Sequence, residues 1–132
     1  MKPIVFIIRP DKKGKWRKKG GYFTVLVMRD AKAVRKLYGK GAGDGDEGVE
    51  AFVRANKRGP HLGTIVFAKH LGVGIMTHEA THAALFFVSW QKSGQTYGKK
   101  NRFFSSAEQV CQAVGNISTE ITKGLYKKGV WK

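Results

Sequence analysis

The stretch 75–90, IMTHEATHAALFFVSW, decides how the chain is read. It contains no Gly, Pro, Asn or Asp, and apolar side chains crowd it. Strands seldom run beyond about 10 residues, so its length favours a helix. On a helix His78 and His82 fall on one face, with Cβ atoms about 5–6 Å apart. Two imidazoles placed that way can reach one zinc ion at about 2.0–2.1 Å. Glu79 is rotated about a quarter turn from His78. It can point toward the metal's open position without binding it, where a carboxylate can take a proton from a water polarised by the metal. The plainer alternative is a helix carrying two surface histidines and an ordinary glutamate.

Upstream of this segment the chain reads mostly as strands. Residues 3–8 (PIVFII), 22–28 (YFTVLVM) and 63–69 (GTIVFAK) are rich in β-branched and aromatic types. Residues 30–38 (DAKAVRKLY) suit a short helix capped by Asp30. The run 39–48 carries five glycines and reads as a loop. Residues 49–56 (VEAFVRAN) are ambiguous between strand and helix. Downstream, Gly94 and Gly98 mark a loop. A second helix then spans about Ser106 to Leu125, with Ala107, Val110, Cys111, Val114, Ile117, Ile121 and Leu125 spaced by threes and fours. Strands followed by two helices predict a single α+β domain over residues 1–132. Its helices would pack on one face of a small, largely antiparallel sheet of three to four strands.

Catalytic zinc usually takes three protein ligands and leaves a fourth position for water. Glu108, 26 residues after His82, is the leading candidate for the third. It shares a helical stripe with Cys111 and Gly115, whose small side chains would let the two helices approach closely. Glu108 also completes a capping box with Ser105, which is its structural alternative. His61 and His70, flanking the third strand, and Cys111 and Glu120 on the second helix are weaker candidates.

Composition narrows the setting. At 132 residues the chain can bury a core unaided. Its lone cysteine, Cys111, excludes an intrachain disulfide and any multi-thiolate zinc site. No apolar run approaches the roughly 20 residues of a membrane span, and Ile4–Ile8 is too short for a signal-peptide core of about 7–15 residues. The expected compartment is therefore the cytoplasm, that of the host if the protein is virus-encoded. Twenty-five Lys and Arg against nine Asp and Glu give a formal charge of +16, a field that attracts polyanions. Three segments mix cations with aromatics: KKGKWRKKGGYF (12–23), YGKKNRFF (97–104) and LYKKGVWK (125–132). Lys12, Lys13, Lys15, Arg17, Lys18 and Lys19 in the first would suit nucleic acid or another polyanion, by phosphate contacts beside stacked aromatics.

The segment THEATHAAL, followed by a helix that begins SSAEQVCQAVG, resembles the gluzincin arrangement of HExxH plus a downstream Glu. It is most similar to the minimal zincin-like metallopeptidases of bacteriophages and to the core of ImmA/IrrE-like peptidases, over residues 63–121. The resemblance implies zinc held by His78, His82 and Glu108, with Glu79 as catalytic base. It also implies a protein substrate whose backbone adds to an edge strand of the sheet. A transition-state stabiliser, usually His, Tyr or Arg in this group, has only Tyr97 and Arg102 of the inter-helix loop as candidates. SprT-like and ImmA-like peptidases offer an analogy for a basic enzyme drawn to nucleic-acid-associated or acidic proteins. Two other readings stay open: a zinc hydrolase acting on nucleic acid or a small amide, and a non-enzymatic basic protein that binds nucleic acid or inhibits a host factor.

Overall fold

The structure is a computed structural model that describes residues 2–39, 50–97 and 107–132. The expected glycine-rich loop lies outside the described residues apart from Gly39, as do Gly98, Arg102, Ser105 and Ser106. Of the segment 97–104 only Tyr97 is described.

Among the described residues four strands and three helices follow in the order β1 (Ile4–Ile8), β2 (Tyr22–Met28), α1 (Ala31–Gly39), β3 (Ala51–Ala55), β4 (His61–Ala68), α2 (Val73–Ser93) and α3 (Ala107–Lys127). Asp30 caps α1 as expected, its Oδ1 accepting the Ala33 N–H at 2.9 Å. The ambiguous segment 49–56 supplies a strand, because Ala51–Ala55 pairs along β4.

The strands lie in the order β1-β2-β4-β3. The outer pairings, β1 with β2 and β3 with β4, are antiparallel, but the central β2–β4 pairing is parallel. The sheet is thus mixed, a correction to the largely antiparallel sheet expected. After β2 the chain passes through α1 and β3 before β4. That crossover returns it to the same end of the sheet, so β4 enters beside β2 in the same direction.

Alternation along the strands separates two apolar faces. Phe23, Val25 and Val27 of β2 and Ile65 and Phe67 of β4 are fully buried in one core with Ala80, Ala83, Ala84 and Phe87 of α2 and Ala113, Ile117, Ile121 and Leu125 of α3. The opposite face holds a smaller cluster: Val34 of α1 with Phe52, Val66 and Ala68. Helices α2 and α3 share one face, as expected, while α1 covers the other. Helix α1 packs on β2, β3 and β4. On its face of β1, Val5 and Ile7 stay about half exposed, at 51% and 54%.

Helices α2 and α3 run antiparallel. Trp131, just past α3, donates its Nε1–H to the carbonyl of Leu71, just before α2, at 3.3 Å. At the other end Gln91 and Lys92 line a cleft with Gln109 and Gln112. Helix α3 comes down onto the sheet at Gly124, where a Cβ atom would overlap the ring of Phe6. Helix α2 lies over β3 and β4, ending at Gly94 in the left-handed conformation, φ 78°, with its N–H on the Trp90 carbonyl.

Candidate metal centre

Helix α2 is buried on most of its circumference, and the exception is the stripe that carries the histidines. Thr77, His78, Thr81 and His82 are exposed, whereas Met76, Glu79, Ala80 and Ala83 are buried. Two of the exposed residues are fastened to the helix itself. The Thr77 hydroxyl donates to the Val73 carbonyl, and the Thr81 hydroxyl to the Thr77 carbonyl. The histidines face each other instead, with ring centroids 4.9 Å apart and planes at 70°. Their Nε2 atoms are 3.2 Å apart.

That separation fits a shared cation. Two nitrogens each about 2.0–2.1 Å from a tetrahedral zinc ion stand roughly 3.3 Å apart. It also fits a hydrogen bond between two neutral rings, one donating and one accepting. Glu79 completes the group: the carboxylate and both imidazoles offer ligand atoms that all lie within 4.8 Å of one another. Its Oε2 is 3.9 Å from His78 Nε2.

The three side chains differ sharply in solvation. The His78 side chain is 67% exposed and that of Glu79 only 8%. Burial pushes the Glu79 carboxyl above its ordinary range, and the nearby His78 and His82 partly offset this. The arrangement therefore presents two accessible nitrogen donors with a buried carboxylate beside them. Donors of this type, two imidazoles and one carboxylate, can hold a divalent transition metal, and imidazole serves zinc, copper, iron and nickel alike.

The structure does not bring Glu108 to this group. Glu108 lies in the first turn of α3, exposed, accepting a long 3.5 Å hydrogen bond from Gln112 Nε2. Because α3 runs antiparallel to α2, its first turn stands beside Gln91 and Lys92. Gln91 is nine residues beyond His82, about 13 Å along a helix axis. The stripe of Glu108, Cys111 and Gly115 faces outward: all three are exposed, and a Cβ at Gly115 would meet nothing within 4 Å. The close approach expected of that stripe is made instead by the buried face of Ala113 and Ile117.

The weaker candidates are placed elsewhere too. His61 is hydrogen-bonded to the Thr24 hydroxyl at 3.0 Å and stacked on Tyr22. His70 is exposed beyond β4. Cys111 is exposed and free. Glu120 pairs with Lys12 and Lys123. Tyr97 is exposed beyond the C-terminal end of α2, next to Thr96, whose N–H reaches the Lys57 carbonyl.

Comparison with protein-family models finds no match, and neither curated proteins nor solved structures give one.

Gln91 escaped sequence reasoning. It is buried, and its amide pairs with the backbone of Lys18 in both directions. Oε1 accepts the Lys18 N–H at 2.6 Å, and Nε2 donates to the Lys18 carbonyl at 2.9 Å. The only signal for it in the chain is an uncharged polar residue closing the apolar run LFFVSW.

Proposed function

We propose that the protein is a zinc-dependent hydrolase of the HExxH type, a metallopeptidase with a zincin-like active-site helix. The observation that carries this reading is the pairing of His78 and His82 Nε2 atoms at 3.2 Å on an exposed stripe, with the Glu79 carboxylate buried beside them.

In this reading His78 and His82 hold the metal, and zinc, when bound, supplies Lewis acidity toward a carbonyl. Glu79 takes a proton from the attacking water and delivers it to the leaving nitrogen as the amide C–N bond breaks. Glu79 is buried with its carboxylate 3.9 Å from His78, which keeps it close to the histidines and largely shielded from bulk water. The substrate best suited is a polypeptide. The histidine stripe is open to solvent, and β3 is a sheet edge against which α2 packs. An extended peptide could add to that edge through main-chain hydrogen bonds.

Glu108 is the third ligand that the gluzincin resemblance implies. Its substitution separates that arrangement from the one described. With α3 placed as here, Glu108→Ala leaves zinc content unchanged; if Glu108 is a ligand, content falls.

The test of the whole reading is elemental analysis and a peptide-cleavage assay on purified protein. One zinc per chain is expected, lost in His78→Ala and His82→Ala. Glu79→Gln should retain the metal and lose turnover by at least about a hundredfold, the low end of what a general base contributes. A chain that binds no divalent metal, or full turnover in Glu79→Gln, would end it.

A further inference from the structure

Away from the histidines, the 9–19 segment and α3 enclose a groove about 27 Å long, reckoned at 1.5 Å per residue from Gln109 to Lys127. Three adjoining clefts form it. Lys15, Trp16 and Gln112 line both the first and the second, and Lys12, Glu120 and Lys123 both the second and the third. The middle cleft holds about 690 Å³.

The two walls differ in chemistry. On α3, Gln112, Asn116, Thr119, Lys123 and Lys127 follow one another at three- and four-residue spacing and line the groove. Opposite stand Arg9, Lys12, Lys13, Lys15 and Arg17. Asp11 and Glu120 are the acidic lining residues, and both are engaged. The Asp11 carboxylate accepts the N–H groups of Lys15 and Trp16 at 2.7 and 3.0 Å. Glu120 lies between Lys12 and Lys123 at 3.3 and 3.8 Å.

The basic segment is pinned at several points. Gln91 grips the backbone of Lys18. Trp16 sets its ring edge-on to Phe87, with centroids 5.0 Å apart. Lys12 is tied to α3 through Glu120. The lysines are therefore presented on a preformed wall, which lowers the ordering cost of binding.

We propose that this groove binds single-stranded nucleic acid. Lysines and Arg9 take the phosphates, Trp16 offers a ring edge or face to a base, and Gln112, Asn116 and Thr119 meet base edges or sugars. This division of labour is that of single-strand-binding grooves. A duplex is a stiff, broad rod that rests on the rim of such a cleft. An acidic peptide can pair its backbone with the amide side chains, but it brings no nucleobase to Trp16. The proposal stands apart from the hydrolase reading and survives its failure.

The test is fluorescence anisotropy of a labelled oligo-dT of about 15 nucleotides, across a salt series, with EDTA-treated protein. The triple variant K13E/K15E/K127E is expected to bind at least tenfold more weakly, with the salt slope reduced by about 2, or ~0.7 for each phosphate no longer neutralised. The variant K32E/K36E/K57E makes the same charge change on α1 and the β3–β4 turn. It should bind less than about threefold more weakly, since exposed charges beyond a Debye length are screened. Binding should quench indole fluorescence, and Trp16→Phe, which keeps the packing on Phe87, should reduce that quench. Equal weakening in the two triples overturns the groove. A matching duplex or polyglutamate binding as tightly as the strand overturns its occupant.

Discussion

Helices α2 and α3 are both 21 residues long and lie side by side on the same face of the sheet, yet they are built on different plans. Helix α3 buries Ala113, Ile117, Ile121 and Leu125 at strict four-residue intervals and turns polar residues outward. Helix α2 buries far more of its surface, and that surface includes Glu79, Ser89 and Gln91. The cause is position. Helix α3 is covered on one side, while α2 is packed by β3, β4, α3 and the 9–19 segment. A polar residue on the outer side of α3 reaches water at no cost, whereas one on the buried side of α2 must be partnered or must be there for chemistry. Gln91 is the first case, and Glu79 is the second under the hydrolase reading proposed above.

Ways of breaking this contrast rank by size. The largest effect is expected in the plain helix. Ile121→Ala, removing fully buried apolar volume, should cost about 2–5 kcal/mol in urea unfolding. Next comes the buried amide. Gln91→Ala strips Lys18 of both its partners and should cost about 1–3 kcal/mol. It should also speed tryptic cleavage within 12–19, read by mass spectrometry. A Gln91→Ala protein as stable and as protease-resistant as the parent would show that the amide pair does not hold the loop.

A smaller effect of opposite sign belongs to Glu79. Its folded-state pKa is raised above the unfolded value, chiefly by burial. The metal-free fold therefore holds the proton more tightly than the unfolded chain does, and it loses stability as pH climbs from the unfolded to the folded pKa. Glu79→Gln has no proton to lose, so in EDTA it should melt higher than the parent at neutral pH. That advantage should shrink as pH falls below the ordinary carboxylate range. Thermal melts at both pH values check it. Smallest of all, Cys111→Ser on the exposed side of α3 should change stability by no more than about 0.5 kcal/mol.

The two helices also differ in how well the sequence reveals them. For α3 the three-and-four spacing is local information, and it locates both the helix and its buried stripe. The HExxH segment is legible for the same reason, since four residues on a helix fix the relation of His78 to His82. What lies beyond reach is non-local. The parallel pairing of β2 with β4 depends on where the chain goes between them, and no property of either strand announces it. The placement of Glu108 depends on how far α2 continues past His82. It continues eleven residues, to Ser93, which carries the first turn of α3 toward the far end of α2. The short strand β3 is ambiguous because five residues satisfy either periodicity until β4 supplies partners.

The bare outer side of β1 has a cost of its own. Among the described residues β1 is an edge strand, showing Val5 and Ile7 with no strand paired on its outer side, and such an edge invites a second chain to zip onto it. Lys2 and Arg9 bracket the strand, and a surplus of sixteen positive charges surrounds it. Mutual repulsion between molecules then acts as the guard that geometry leaves out. Concentrated salt or a neutralising polymer removes that guard, so conditions that quiet the charge are those in which the protein should begin to self-associate.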